Sequence, residues 1–328
     1  MTDYKVSVIC LTYNHRDYIR ECLNGFVKQK TTFPFQVIVH DDASTDGTAE
    51  IVKEYAERYP DIIYPILQSE NQWSKGKTLS KTFIYPLLKG QYVAFCEGDD
   101  YWTDENKLQK QVDFLDANPD FAVCFHAVQI YWQETGLSDE VFPTQSFCFN
   151  KDVLTLDDLL IHNFIQTNGV LLRWRFYRDS YDLIPDKILP GDWFIFLLHA
   201  ELGKIKFIPE VMGVYRKHQQ GIWYDVKCSQ KWFEKSAPYS LRFFDAVKAR
   251  YGFEHTCEFI LLKYGNLFAL EDREKVSFLR TLKRCLFLCA ALLGMLFSFN
   301  SKQRIFWKIY GKALLISISW FFKDKKVI

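Results

Sequence analysis

The chain lacks the paired cysteines of a zinc site or of a disulfide framework. Its nine cysteines are an odd number, and no two of them form a Cys-x-x-Cys pair. Cys285 and Cys289 lie four residues apart, but they belong to an apolar stretch without a neighbouring histidine. We therefore expect reduced thiols in the core of a cytosolic protein.

The beginning of the sequence lacks the features of a secretory signal peptide. It shows no basic region and no cleavage site, and it runs directly into a strand-like pattern. Internal repeats and low-complexity segments are missing as well, and apolar residues make up 48% of the 328 residues. These properties are typical of a globular protein with one large or two modest domains.

Glycine is missing from the loop where many nucleotide-binding enzymes carry it. The segment after the first predicted strand reads TYNHRDY and covers residues 12–18. A dehydrogenase of the dinucleotide-binding type needs Gly-x-Gly-x-x-Gly at this place. A sugar nucleotidyltransferase carries a glycine-rich loop with an arginine there. The sequence therefore argues against both classes of enzyme.

Strand-like and helix-like segments alternate through the first 132 residues. Short apolar, β-branched runs predict strands, whereas apolar residues spaced by three or four predict helices between them. We expect an α/β fold with a mainly parallel central sheet, followed by C-terminal helices. The predicted strands cover residues 6–11, 35–39, 62–67, 92–96, 121–132, 166–172 and 204–214. The predicted helices cover residues 18–27, 48–59, 78–88, 104–115, 192–202, 226–251 and 254–270.

Parallel sheets bind ligands beyond the carboxyl ends of their strands, so polar residues directly after each strand are the candidates for a site. Residues 12–14, 41–42 and 97–100 occupy such positions. In the segment VIVHDDASTDGT, helix capping explains Asp46, but it does not explain Asp41 and Asp42 together at the strand end. An acid there can accept hydrogen bonds from the edge of uracil or guanine.

The segment AFCEGDDYW concentrates negative charge. Glu97, Asp99 and Asp100 lie within four residues and repel one another unless a cation is present. Such hard oxygen ligands suit Mg²⁺ or Mn²⁺ together with a substrate diphosphate. A solvated acidic turn is the alternative, but the acids follow an apolar strand and precede two aromatic residues, so we expect them to be held in place.

The segments VSVICLTYN, VIVHDDASTDGT and EGDDYW, in this order and at these intervals, resemble the family 2 glycosyltransferases of the GT-A fold. The resemblance covers about residues 5–220 and is specific because three motifs agree. It implies that Tyr13 flanks the nucleotide base and that Asp42 hydrogen-bonds the base. Glu97 and Asp99 would occupy the acidic places of the DxD motif, with Asp99 as the direct metal ligand.

The sequence departs from the common pattern at position 97, where glutamate replaces aspartate. Because glutamate is longer by one methylene, Glu97 would reach the metal through water or would bind the ribose instead. Asp100 is a further candidate ligand, or it holds the loop.

The segment ILPGDWFIFLLHA resembles the part of the family that carries the catalytic base, which would be Asp192. The ordinary alternative is a helix N-cap. An inverting transferase needs one carboxylate that deprotonates the acceptor hydroxyl. The neighbouring Trp193 would then form a wall for the acceptor, and residues 166–168 are a possible acceptor contact.

Basic residues offer candidates for binding the diphosphate. Arg216 and His218 follow a predicted strand in VYRKHQQGIW, where a solvated basic loop is the equally favoured alternative. Lys75 and Lys77 precede a predicted helix in ENQWSKGKT and are weaker candidates.

The predicted function is therefore metal-dependent, inverting transfer of a sugar from a nucleotide diphosphate sugar, expected to be a UDP-sugar, to a hydroxyl of a glycan or lipid-linked acceptor. The alternative is a non-catalytic glycan-binding or scaffold protein on a decayed transferase fold. Such a protein would be expected to lose an acid at position 42, 97, 99 or 192, and all four acids are present.

The last part of the chain is basic and apolar. Residues 280–326 contain ten basic residues and one acidic residue, which leaves a net charge of −8 on the rest of the chain. The apolar run 285–297 is too short to span a bilayer, since about 20 residues are needed. Together these features favour helices at the interface of an anionic membrane over a soluble cap or oligomer contact, and they do not favour nucleic acid.

We accordingly predict a GT-A domain over residues 1–225, a helical extension over 226–279 and membrane-associating helices over 280–328. The protein would lie in the cytoplasm, peripherally bound at the inner face of the cell membrane.

Overall fold

Ten strands form one sheet in the computed structural model, which describes residues 4–177, 181–221 and 230–253. The strands are β1 (Val6–Thr12), β2 (Phe35–Asp41), β3 (Ile63–Leu67), β4 (Tyr92–Phe95), β5 (Tyr101–Trp102), β6 (Phe121–Trp132), β7 (Gly136–Phe142), β8 (Val153–Leu154), β9 (Val170–Arg173) and β10 (Lys204–Lys217). Their order is β3-β2-β1-β4-β9-β6-β10-β5, with β7 beside β6 and β8 beside β10. The predicted α/β fold is confirmed.

Most of the paired residues in the sheet belong to parallel ladders. Strands β3, β2, β1 and β4 run parallel to one another, and so do β6 and β10. The short strand β9 joins these two groups because it pairs antiparallel with both β4 and β6. The carboxyl ends of β1, β2 and β4 therefore meet at one edge of the sheet.

Helices cover both faces of the sheet, and strands β1 and β2 are buried on both sides, which explains their continuous apolar runs. On one face lie α1, α2 and α3, and on the other lie α4, α5 and α6. The helices are α1 (Ile19–Val27), α2 (Thr48–Arg58), α3 (Lys107–Ala117), α4 (Leu156–Ile161), α5 (Gly191–Ala200) and α6 (Gln230–Tyr251).

The helix predicted over residues 78–88 is replaced by two short turns. A π-helical turn covers Ser80–Ile84, and a 3₁₀ turn covers Tyr85–Leu87. Pro86 explains the difference, because its ring would clash with the carbonyl of residue 82 in a continuing α-helix and it has no amide hydrogen to donate.

Helix α6 is fastened to the end of α5 by ionic contacts. Glu201 accepts hydrogen bonds from Arg175 (2.7 Å), Arg250 (2.8 Å) and the hydroxyl of Tyr251 (2.7 Å). Burial alone would raise the pKa of Glu201, but hydrogen bonds from Arg250, Arg175 and Tyr251 lower it to about 2. Helix α6, which lies in the predicted extension, thus contacts α5 and its C-cap residue through Phe243, Arg250 and Tyr251. Residues 254–328 lie outside the described part, including the predicted membrane-associating helices.

Five cysteines are free and fully buried, namely Cys10, Cys22, Cys96, Cys124 and Cys148. The sulfurs of Cys10 and Cys22 lie 3.9 Å apart, and the Cys22 thiol donates to the backbone carbonyl of Glu97 at 3.4 Å. The expectation of core thiols is confirmed for these five residues.

Within residues 4–177, 181–221 and 230–253, none of the helices combines the length and the apolar character needed to cross a bilayer.

Candidate active site

The candidate site lies at the edge where β1, β2 and β4 end. The acidic loop after β4 is tied to β1, since Gly98 donates its backbone N–H to the carbonyl of Leu11 at 2.8 Å. The loop after β2 is tied there too, through the N–H of Asp42 and the carbonyl of Thr12 at 3.0 Å. The three groups of polar residues expected from the sequence are therefore neighbours.

Glycine is required at position 98 because the acidic loop passes close to β1. A Cβ atom on Gly98 would lie 2.6 Å from the hydroxyl oxygen of Thr12 and 2.8 Å from its Cβ. Neither distance is compatible with a side chain unless the backbone shifts. The turn between Glu97 and Asp99 can therefore approach the strand only with glycine between them.

Asp99 lies at the centre of a group of possible metal ligands. Its Oδ2 is 3.0 Å from Nε2 of His218 and 3.9 Å from Nε2 of His15. The three residues offer ligand atoms that all lie within 4.8 Å of one another. Asp99 Oδ1 is buried and has no hydrogen-bond partner among the described residues, so the carboxylate retains an oxygen for a cation.

The protonation states in this group suit a cation. Burial lowers the pKa of His15, which favours the neutral, ligating imidazole. Burial alone would raise the pKa of Asp99, but the hydrogen bond with His218 holds it below its usual value. These donor atoms fit the divalent cation expected from the sequence. His15 was not among the candidates, although it follows the inspected residues 12–14 directly.

Glu97 and Asp100 lie outside this His15–Asp99–His218 group within the described residues. Glu97 is exposed to solvent, yet desolvation by the surrounding protein and the negative charges of Asp99 and Asp192 raise its pKa to about 8. The carboxylate of Asp100 is buried and accepts the backbone N–H of Arg216 at 2.8 Å. Burial and the charge of Asp99 hold the pKa of Asp100 well above its usual value.

Asp192 lies in the first turn of α5, and its charge acts on Glu97. The hydroxyl of Thr167 donates to Asp192 Oδ2 at 2.9 Å. Burial raises the pKa of Asp192, although this hydrogen bond and nearby backbone amides oppose the shift. Pro190 occupies the N-cap position of the helix, so Asp192 is not the N-cap residue.

The prediction that Trp193 forms a wall for the acceptor is wrong. This side chain is only 6% exposed, and its indole N–H donates to the carbonyl of Leu159 at 3.0 Å. Its ring also packs against Phe243 of α6, with the two centroids 4.9 Å apart. An apolar helix face points to the core, and Trp193 lies on that face.

The residues expected to bind the base differ in their surroundings. Tyr13 is 46% exposed at the end of β1, so its ring is accessible. The carboxylate of Asp42 is buried and accepts the backbone N–H groups of Gln72 (2.7 Å) and Trp73 (3.0 Å). Asp42 therefore fixes the loop that follows β3. This loop carries Trp73, which is 56% exposed and was not predicted from the sequence.

The basic candidates separate into two groups. Arg216 is buried, and its Nε donates to the backbone carbonyl of Asp99 at 2.9 Å, while His218 belongs to the possible metal group. Lys75 forms an exposed ion pair with Glu70, and Lys77 is exposed in the same loop. The structure therefore leaves the two lysines accessible and gives the other two residues partners near Asp99.

Comparison with known proteins agrees with this geometry. The sequence model of the family described as Glycosyl transferase family 2 matches residues 7–176, just over half of the chain. The chain belongs to glycosyl transferase family 2. It is 44% identical over 228 residues to an uncharacterized protein of Mycobacterium tuberculosis strain H37Rv. That match covers 70% of this chain and 63% of the relative, so the chain spans less than two thirds of the relative's length.

Two solved structures of glycosyltransferases share the fold of this family 2 member. One is residues 1–349 of TarS from Staphylococcus aureus, a poly(ribitol-phosphate) beta-N-acetylglucosaminyltransferase, in complex with UDP-GlcNAc. It has a TM-score of 0.54 at 20% identity and covers 81% of this chain and 79% of that one. The other is the mannosyltransferase PcManGT of Pyrobaculum calidifontis in complex with GDP-Man and Mn²⁺, with a TM-score of 0.55 at 18% identity, covering 98% and 88%. The GT-A type fold is thus confirmed.

Proposed function

We propose that this family 2 protein transfers a sugar from a nucleotide diphosphate sugar to a hydroxyl of a glycan or lipid-linked acceptor, with inversion at the anomeric carbon. The observation that carries the proposal is the meeting of two groups at one edge of the sheet. Asp99 with its two histidines can hold a cation, and Asp192 lies near enough to influence Glu97. A cation held by Asp99 and the histidines would bind the diphosphate of the donor, and Asp192 would act on the hydroxyl of the acceptor.

The donor in this proposal is a UDP-sugar. Tyr13 flanks the base with its exposed ring, and Asp42 shapes the base site through the loop that carries Trp73. Lys75 and Lys77 of this loop are the proposed contacts to the diphosphate. TarS with bound UDP-GlcNAc supports the choice of nucleotide, whereas PcManGT with bound GDP-Man is the reason to test guanine nucleotides as well.

We propose Asp99, His218 and His15 as the residues that hold the cation, with Glu97 acting through water and Asp100 holding the loop. When bound, a divalent cation would offset the negative charge of the diphosphate and of the departing nucleotide. Imidazole nitrogens are softer ligands than the oxygens that Mg²⁺ takes, so we propose Mn²⁺ rather than Mg²⁺. The Mn²⁺ in the PcManGT complex supports this choice.

Asp192 is the proposed catalytic base. Its burial raises its pKa, which makes the carboxylate a stronger base than one in water. The hydrogen bond from Thr167 fixes one oxygen and leaves the other to accept the proton of the attacking hydroxyl. Inversion follows if that hydroxyl attacks from the face opposite the diphosphate.

The place of action is also a proposal. We propose that residues 1–225 form the catalytic domain, that 226–279 extend it, and that 280–328 bind peripherally to the cytoplasmic face of an anionic membrane. The ten basic residues between 280 and 326 and the apolar runs between them support this arrangement. It would bring Asp192 close to a lipid-linked acceptor.

The test is a panel of UDP-, GDP- and dTDP-sugars offered to the purified protein with Mn²⁺, Mg²⁺ or EDTA. We expect nucleotide release with one UDP-sugar, stimulated by Mn²⁺ and by an added polyol-phosphate or glycan acceptor. The variants Asp99→Asn and Asp192→Asn serve as matched controls. Nucleotide binding without any transfer across the panel would instead support the non-catalytic alternative.

A further inference from the structure

Arg216 makes three separate hydrogen bonds around the acidic loop. Its backbone N–H donates to the carboxylate of Asp100 at 2.8 Å, and its Nε donates to the backbone carbonyl of Asp99 at 2.9 Å. A terminal nitrogen of the guanidinium binds the carboxylate of Glu21 on α1. The side chain of Arg216 is 5% exposed, so most of its surface is used for these and other protein contacts.

Three tyrosine rings enclose the guanidinium. Its central carbon lies 4.7 Å from the ring centroid of Tyr131, 4.8 Å from that of Tyr18 and 5.4 Å from that of Tyr101. Aromatic faces attract a cation at these distances. The charge of Arg216 is therefore offset within the protein by Glu21 and by the rings.

Asp99 is held at two points from the same strand. Arg216 and His218 are two positions apart on and just after β10, so their side chains point to the same side. Arg216 holds the backbone carbonyl of Asp99, and His218 lies 3.0 Å from its carboxylate. One contact thus holds the backbone of Asp99, and the other holds its carboxylate.

We propose that Arg216 is a positioning residue that pre-forms the cation site, and that it is not a ligand of the diphosphate. It fixes the backbone of Asp99 and the side chain of Asp100, so that the carboxylate of Asp99 faces His15 and His218 before a cation arrives. The proposal deepens the proposed function and rests on its cation site.

The two roles of Arg216 predict different binding defects. A diphosphate ligand contributes to nucleotide affinity even without metal, and its loss leaves the affinity of the nucleotide-free protein for a cation unchanged. A positioning residue contributes to cation affinity before any nucleotide is present. Lysine cannot replace arginine in the second role, since an ammonium group cannot reach the Asp99 carbonyl and Glu21 together as the planar guanidinium does.

The first experiment measures Mn²⁺ binding to the nucleotide-free, full-length protein by electron paramagnetic resonance, and UDP binding in EDTA by calorimetry. For Arg216→Lys and Arg216→Gln we expect cation affinity to fall about tenfold or more, as is usual when a group that orients a metal ligand is lost. Metal-free UDP affinity should stay at the wild-type value, because a positioning residue does not contact the nucleotide. The control Lys206→Gln removes one positive charge elsewhere on β10 and should change neither value.

The second experiment tests whether Arg216 orders the acidic loop, and its result does not depend on the existence of the cation site. Hydrogen–deuterium exchange of metal-free protein should show faster exchange in a peptide covering residues 97–101 of Arg216→Gln, with unchanged exchange across β2. If the wild type binds no Mn²⁺, the proposed cation site fails, and this measurement alone decides whether Arg216 orders the loop. Unchanged exchange in that peptide would overturn the inference.

A milder pair of variants covers the case in which Arg216→Gln does not fold. Tyr131→Phe retains the ring beside the guanidinium and should bind Mn²⁺ like the wild type. Tyr131→Leu removes the ring and should weaken Mn²⁺ binding by roughly threefold, which corresponds to a single weak cation–π contact. Normal Mn²⁺ affinity combined with weakened metal-free UDP binding in Arg216→Lys would show that Arg216 binds the diphosphate after all.

Discussion

The hydroxyl of Thr167 donates a hydrogen bond of 2.9 Å to Asp192, which joins the turn before β9 to the first turn of α5. The turn itself is anchored through its next residue. The side-chain amide of Asn168 donates to the backbone carbonyl of Val214 at 2.8 Å. The backbone carbonyl of Asn168 accepts the indole N–H of Trp102 at 2.8 Å. The proposed base is therefore connected to β10 and to the strand that follows the acidic loop.

Replacement of Asp192 by asparagine should abolish sugar transfer and leave nucleotide affinity nearly unchanged. The reason is that the proposed base acts on the acceptor and not on the donor. Single-turnover transfer and calorimetric UDP binding measure the two properties separately. A variant with near-normal kcat would exclude Asp192 as the base, and retention of configuration in the product would contradict inversion.

Replacement of Thr167 by valine should lower kcat by about tenfold, because a base that is poorly oriented transfers the proton less efficiently. The hydrogen bond from Thr167 lowers the pKa of Asp192 against the effect of burial, so its loss should move the acidic limb of the kcat–pH profile to higher pH. Thr167→Ser retains the hydroxyl and should restore both properties. A profile that does not move would mean that the hydroxyl has no influence on the base.

Replacement of Asp99 by asparagine should remove activity and Mn²⁺ binding while the fold remains intact. The amide keeps the size of the side chain but loses the charge that the cation needs. Circular dichroism checks the fold, and titration of Mn²⁺ checks the site. Excess EDTA should stop the wild type as well, and full turnover in EDTA would refute metal dependence.

Replacement of Glu201 by glutamine should destabilise the protein at neutral pH by an amount on the order of 2 kcal/mol. The pKa of Glu201 is about 2 in the folded protein, compared with 4.5 ordinarily. Its stabilising effect is therefore complete above pH 4.5 and is lost as the pH falls from 4.5 toward 2. Urea unfolding at pH 7 and pH 3 should show the difference between variant and wild type shrinking in acid. Glu54→Gln, in an exposed pair with Arg20, should leave the midpoint unchanged.

The full-length protein should bind vesicles of anionic lipid at low salt, and high salt should weaken this binding without abolishing it. We expect basic residues between 280 and 326 to supply the salt-sensitive part, and aromatic and leucine side chains that enter the bilayer surface to supply the rest. A protein ending at Leu279 should lose vesicle binding and still bind UDP. Sedimentation with vesicles measures this binding. If the full-length protein does not bind at low salt, the region after residue 279 is better explained as a packed cap or an oligomer contact.

The sequence predicted the sheet and the edge where the site lies because both depend on local patterns. Apolar runs identify strands, and the carboxyl ends of parallel strands converge whatever the details of packing. Asp42, Asp99 and Tyr13 were found in this way, and all three lie at that edge.

The partners of these residues depend on contacts between distant parts of the chain, which local patterns do not contain. The pairing of Arg216 with Glu21 joins residues 195 positions apart. Asp42 receives two backbone amides from Gln72 and Trp73, which lie 30 and 31 positions later in the chain. His15 was not predicted from the sequence, because only its distance from Asp99 in the fold makes it a candidate ligand.

The buried thiols allow the opening of the folded protein to be measured by chemical labelling. Cys10, Cys22 and Cys96 are each 0% exposed beneath the acidic loop, so an alkylating reagent can reach them only when this half of the sheet opens. Burial also raises the pKa of Cys96, which leaves little reactive thiolate while the fold stays closed. The rate at which these sulfurs are labelled therefore reports the opening of this half of the sheet without an introduced cysteine, and a ligand bound at the acidic loop should slow it.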